Sequence, residues 1–406
     1  MEKSSDNLIE IDFLRRKYKS NIPKSFLYYF LLGIHTVRGV MIPYFTVWGK
    51  LTFFELMILQ SYFMMVIFLL EIPSGAIADF LGRNKALSLS ALSLTFAALF
   101  YSIIPNFFLF ALAETFWALG MALMSGTDEA FMYSTLKTQG KEKELTKYMA
   151  RNRTMFLIAG IISAPLGSII AEVISLQFTM TFLGFMYGLA FIVSLSFKEP
   201  KLKNNNSYKS ERYWPIIKEG FKELKKNKIL RILCFDRLFI GILIFLLFWL
   251  YQVYLEELNV PIIFFGFIAS AISIINIVFM NILPMILKKA ENKLRVLILV
   301  DIICGIAYLL VGLTFNAILG ILLIFIIVAT GYPRFLLYMN GINKLVKSEN
   351  RATVLSTVNM FGSLLRALIF PFIGIIVMWN IFAIFIIIGC LIILFTIFTR
   401  VKSDYL

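Results

Sequence analysis

A few ionisable side chains stand where the surrounding sequence is almost wholly apolar, and any chemistry this chain performs has to be sought there. His35 and Arg38 lie three apart in the run Phe26–Val47. Glu114 lies in Phe107–Leu123, Asp236 and Arg237 in Ile229–Tyr254, and Asp301 in Val296–Phe315. Arg334 lies in Ala317–Met339 and Arg366 in Thr353–Met378. A charge at the centre of a bilayer costs at least ~2.5 kcal/mol, so each of these groups needs a partner, a water-filled cavity or a task. With ~1.5 Å of helical rise per residue, His35, Arg38 and Arg366 come near mid-membrane, and Glu114 lies roughly 10 Å from its outer helix end. His35 and Arg38 then share one helix face. Asp236, Arg237, Asp301 and Arg334 fall in the third nearer the basic loops, where side chains can snorkel to the surface.

Two roles are open to these groups. They pair across helices, Arg38 with Glu114, and Asp236 or Asp301 with Arg237 or Arg334. Alternatively they bind substrate and move protons. A carboxylate held out of water, such as Glu114, is suited to loading and releasing a proton as its access changes, with Arg38 opposing protonation. His35 reads first as a packing or hydrogen-bonding residue, with protonation as its other role. A catalytic constellation is not among the choices. One histidine excludes a multi-His metal centre, and Cys234, Cys304 and Cys390 sit apart in separate apolar runs with no CxxC spacing. No Walker-type loop supports ATP-driven pumping. We therefore expect no enzyme activity, no metal and no cofactor.

The elements that must position these residues are apolar runs long enough to cross a bilayer, which takes about 20 residues. The remaining runs are Phe53–Ile77, Ala86–Ile104, Phe156–Ala171, Phe178–Phe197, Ile262–Leu287 and Ile381–Thr399, making an expected twelve. A composition of 60% hydrophobic residues over 406 positions agrees, because soluble domains run nearer 45–50%. The net charge of +15 points to no nucleic acid, since the basic residues occupy alternate loops. Four arginines lie inside runs, and Lys50 alone of the remaining Lys and Arg falls on the opposite side. By the positive-inside rule both termini are expected to be cytoplasmic, and an even number of spans agrees by putting them on one side. No cleaved signal peptide is evident before the basic residues Lys3, Arg15 and Arg16. The segment Lys198–Lys228 carries a polar Asn204–Asn206 linker. It then carries an expected amphipathic surface helix from Tyr213, with Ile217, Phe221 and Leu224 on one face. It divides the chain into bundles at 1–197 and 229–406. Tyr28, Tyr44, Trp117, Trp249 and Tyr338 are candidates to line an apolar path.

Between the second and third runs the chain reads Glu71-Ile-Pro-Ser-Gly-Ala-Ile-Ala-Asp-Phe-Leu-Gly-Arg-Asn-Lys85. Gly75 and Gly82 provide the freedom a tight reversal needs, and Asp79, Arg83 and Lys85 keep it at the surface. The pattern G-x-x-x-D-x-x-G-R-x-K resembles the signature loop of the major facilitator superfamily of transporters. That resemblance implies an all-α fold of twelve transmembrane helices in two pseudo-symmetric six-helix bundles, with the substrate path between them. It implies that Arg38, Glu114, Asp236 and Arg334 each come from a cavity-lining helix. It also implies a gate of Gly75, Asp79, Gly82 and Arg83. In the gate so implied, Asp79 is expected to accept from the free N–H groups at the start of the eleventh helix near Ala352–Thr353, with Arg83 holding the Asp79 carboxylate and the halves latched on the cytoplasmic side. The copy departs from the pattern at Phe80, where a basic residue is usual.

The halves echo one another. Arg153-Thr154 and Pro165-Leu166-Gly167 of the fifth helix match Arg351-Ala352-Thr353 and Pro371-Phe372-Ile373-Gly374 of the eleventh. The fourth helix runs into Ser125-Gly126-Thr127-Asp128-Glu129-Ala130-Phe131-Met132-Tyr133-Ser134-Thr135-Leu136. This resembles the ending S-G-x-x-E-A-x-x-Y-D-[ST]-L of bacterial drug-efflux-like facilitators, with Ser134 where an Asp is usual. The fourth helix lacks the arginine that proton-coupled members carry, and the fifth keeps only a fragment of the antiporter pattern at Gly160, Ala164, Pro165 and Gly167. The resemblance implies export of an amphipathic drug or metabolite against protons, by a monomer in the cell membrane. Uptake of a sugar, peptide or organic anion is the alternative. The expected partners are a small-molecule substrate, protons and the lipid bilayer.

Overall fold

Where water is excluded, a backbone can satisfy its own polar groups within one segment only as a helix. The computed structural model describes residues 17–200, 222–346 and 348–405, and among them every regular element is helical. Helix α1 is Lys17–Trp48, α2 Phe53–Leu81 and α3 Arg83–Ile103. Helix α4 is Phe107–Thr138, α5 Leu145–Val173 and α6 Leu176–Leu195. Helix α7 is Lys228–Glu257, α8 Ile262–Lys289, α9 Lys293–Leu313 and α10 Ala317–Met339. Helices α11, Ser348–Trp379, and α12, Ile381–Ile397, complete the chain. Eleven are long and apolar enough to span a membrane, and α12 is a shorter apolar helix. Large apolar side chains such as Phe185, Ile192, Leu299 and Phe372 remain exposed, as a lipid-facing surface demands.

The helix starts are written in the sequence. Asn106, Asn227, Asn292, Asn316 and Asn380 each accept a first-turn N–H, at α4, α7, α9, α10 and α12. Thr52 and Glu55 form a reciprocal capping box at α2, with Thr52 N–H donating to Glu55 at 2.8 Å and Glu55 N–H donating to Thr52 at 3.2 Å.

Several expected boundaries move. Helix α2 continues to Leu81, so Gly75 is helical and the reversal is made at Gly82 alone, whose φ of +91° excludes a side chain without strain. Helix α5 begins at Leu145 rather than Phe156, because its polar first turns need no apolar residues beyond the bilayer. Helix α1 is interrupted. Asn21–Gly33 is α-helical, Thr36–Val40 is 3-10 and Tyr44–Trp48 is π-helical. Pro43 has no N–H to continue the ladder, and its ring crowds the carbonyl four residues back. His35 lies in the break between the first two of these pieces, upstream of the proline's reach, and it does not share a regular helix face with Arg38. The amphipathic stretch from Tyr213 falls outside the described residues as far as 221.

The chain forms two compact units, 17–38 with 66–200 and 39–65 with 222–405. In the first, α3 packs on α4 and α6, and α1 packs on α5 and α6. Gly167 of α5 lets the α1 backbone come so close that a Cβ there would sit 1.7 Å from Thr36 O. In the second, α9 packs on α10 and α12, which repeats the α3–α4–α6 arrangement six helices later. Segment 39–65 belongs to this second unit. Ile42 N–H donates to Gln252 of α7 at 2.9 Å, and Ser61 donates to Ala367 O of α11.

Candidate functional site

In the first unit the break in α1 is held from both sides. His35 N–H donates to Ser163 Oγ of α5 at 2.9 Å, and Thr36 Oγ1 donates to Thr179 O of α6 at 2.7 Å. The His35 ring lies 5.6 Å from Trp117, which packs on Tyr187 at 5.8 Å and Tyr101 at 6.3 Å. His35 Nδ1 is buried with no hydrogen-bond partner among the described residues. Arg38 reaches α5, where a Cβ on Gly160 would stand 3.4 Å from its guanidinium. Glu114 is buried in α4. Of the aromatic path candidates, Tyr28, Tyr44, Trp249 and Tyr338 are buried, with Tyr28 donating to Leu87 O at 3.1 Å.

The turn at Gly82 aims Arg83 at α4. Its guanidinium donates to Ala130 O at 3.0 Å and to Ser134 Oγ. It thus meets the position at which the chain departs from the efflux-like ending. One turn and a half earlier, Tyr29 of α1 donates to Asp128. The side chains of Asp79 and of residues 347–353 lie outside the described residues, and with them the expected latch.

The second unit gathers the strongest cluster of charge. Pro333 sets a 3-10 turn, Tyr332–Arg334, at the end of the α10 apolar stretch, and this turns Arg334 inward. Its Nε donates to Asp301 Oδ1 of α9 at 2.5 Å, and its terminal NH2 donates to Asp236 Oδ1 of α7 at 2.5 Å and to Tyr338 Oη at 2.5 Å. Tyr338 in turn donates to Asp236, and Thr399 Oγ1 donates to the other Asp236 oxygen at 2.8 Å. The guanidinium also lies 4.8 Å from the Tyr338 ring centroid. Asp236, Asp301 and Arg334 are only 3%, 2% and 2% exposed, so they pair across helices instead of snorkelling, each finding its partners inside. Both aspartates choose Arg334. Arg237 is left with Met339 Sδ at 3.7 Å. Two carboxylates thus face one guanidinium, and with all groups ionised the cluster holds one excess negative charge.

Arg366 of α11 donates to Ser363 Oγ at 3.1 Å and lies 5.3 Å from the Phe245 ring centroid. Together with Arg237 and the edge of Arg334 it borders a cavity of about 260 Å3 between α7, α10 and α11. Sequence spacing had offered a signal for Tyr338, four residues after Arg334 on one face. Nothing local marked Thr399, which reaches Asp236 only through the fold.

A family profile described as Major Facilitator Superfamily matches residues 25–370. No match was found among curated proteins. Solved structures similar to this chain include a mutant of the nucleoside transporter NupG, at 14% identity and a TM-score of 0.78, covering 96% of this chain and 100% of that one. A D-xylose–proton symporter matches at 12% identity and TM-score 0.70, covering 95% and 99%. A bacterial homolog of the human lysosomal transporter Spinster, inward-facing and unoccupied, matches at 14% and 0.69, covering 96% of each chain. At these identities the likeness is one of fold.

Proposed function

The chain belongs to the major facilitator superfamily, and from that premise we propose that it exports an amphipathic drug or metabolite in exchange for protons. Its general role, a multi-pass membrane transporter of small molecules, follows from the family. The proton link rests on the buried cluster Asp236–Arg334–Asp301. An uncompensated charge in a low-dielectric interior is costly, and one proton removes it. Protonating Asp301 would release Arg334 to Asp236 alone, and deprotonation would draw it back, so the strength of the α9–α10 tie follows the proton.

The groups around this site are Asp236 on α7, Asp301 and Cys304 on α9, and Arg334 and Tyr338 on α10. Arg237, next in sequence to Asp236, is turned to Met339. Glu114 with Arg38, and His35 beside Trp117, form a second set of candidates for substrate or proton binding in the first unit. The direction of transport is supported by the Ser125–Leu136 ending of α4. The gate is assigned to Asp79 with Gly75, Gly82 and Arg83. In this reading Arg83 braces the turn on α4.

The test is a substrate screen in inside-out vesicles with an imposed pH gradient. Solute accumulation driven by an acidic lumen is expected. Accumulation that ignores the gradient would remove the proton link, and accumulation driven only by the opposite gradient would make the protein an importer.

A further inference from the structure

Of the four arginines inside apolar runs, Arg334 is neutralised by two aspartates, whereas Arg237 and Arg366 have no carboxylate at ion-pair distance among the described residues. Both border the same cavity. A guanidinium carries five N–H donors and no acceptor. The donors of Arg237 find only a thioether sulfur, a weak acceptor, and Arg366 Nε is buried with no acceptor. Such unmet donors in a concave, largely apolar place call for a group rich in lone pairs, and a carboxylate or phosphate matches the guanidinium fork.

The rest of the wall is different in kind. Leu238, Ile242, Phe245, Phe335 and Val358 make it apolar, and Asn359 adds a single amide. At Gly241 the wall stands back, and an added Cβ would meet nothing within 4 Å. We infer that the second unit binds an amphipathic organic anion, its oxyanion held between Arg237 and Arg366 and its apolar body against Phe245 and Gly241. This rests on the transporter reading and deepens it, because it assigns the cargo a charge. The carboxylate and the phosphate share this chemistry, and the choice between them is left to the arms of the test.

The experiment uses the full chain in detergent and reads thermal unfolding by tryptophan fluorescence against phenylacetate, phenyl phosphate, phenethylamine and inorganic phosphate. Apparent affinity for phenylacetate or phenyl phosphate should be at least tenfold tighter than for phenethylamine or inorganic phosphate, and whichever acid binds better names the oxyanion. R237Q and R366Q should each weaken that acid at least tenfold. G241L, which fills the recess without touching charge, should weaken it comparably and decides the matter if an arginine variant does not fold. Equal binding of the amine, equal binding of inorganic phosphate, or undiminished acid binding by G241L or by folded arginine variants would overturn the inference. Binding is read here without a membrane or a gradient. Its failure therefore sinks the anion site alone, whereas absent pH-driven flux sinks the proton link alone.

Discussion

Arg334 is held at once by two carboxylates and a phenol, and its removal would leave two buried negative charges facing each other. Arg334→Ala is therefore expected to destabilise the second unit by about 3–5 kcal/mol, the usual cost of stranding a buried charge. Asp301→Asn leaves Arg334 with Asp236, a balanced pair, and should cost about 1 kcal/mol, near the net worth of one hydrogen bond. Chemical denaturation in detergent compares the two, and an equal loss would show that the cluster carries no excess charge. The sequence placed these residues inside the membrane and named Arg334 as a possible partner of both aspartates. It did not say that both would choose it, because that choice depends on the 3-10 turn at Pro333, which bends Arg334 inward. The placement of Asp236 and Arg334 near a surface also left snorkelling open, and pairing inside the protein closes that route.

Helices were legible wherever an apolar run began just after a capping asparagine, as at Asn106, Asn227 and Asn380. Interruptions were not. The break at His35 needs Thr36 pinned to Thr179 and a glycine at 167 to admit its carbonyl, and those are contacts between segments far apart in sequence. Gly167→Ala should force α1 and α5 apart and lower stability by about 1–3 kcal/mol, as overpacking does. Gly82→Ala places a Cβ at φ +91° and should cost about 1–3 kcal/mol through backbone strain, with the α2–α3 turn distorted. Thermal melts of the purified variants measure both, and unchanged stability in Gly82→Ala would mean that the turn can relax. Spacing alone assigns both Gly75 and Gly82 to the reversal after Glu71. Gly75 is helical because α2 continues through the polar residues to Leu81, so only one glycine makes the reversal.

At the scale of the molecule, composition and loop charge carried most of the fold, since burial in lipid leaves a chain so few choices. The repeat was visible as paired motifs in the fifth and eleventh helices and returns in the packing of α3 and α9. The proposed orientation predicts that Lys50→Cys, in a chain whose exposed Cys390 has been replaced, reacts with an impermeant maleimide from outside intact cells. Lys141→Cys should react only after the membrane is opened, and the reverse pattern would invert the topology. Asp79→Asn should slow turnover in vesicles while leaving insertion intact, and unchanged turnover would remove Asp79 from the gate.

In the proposed cycle a proton on the Asp236–Arg334–Asp301 cluster is exchanged for substrate. It is tested most directly by comparing substrate exchange with gradient-driven accumulation in proteoliposomes carrying Asp301→Asn, which fixes the cluster in its neutral state. Exchange between equal substrate pools should persist while accumulation driven by an imposed pH gradient is lost. Gradient-driven accumulation that survives undiminished in Asp301→Asn would contradict it.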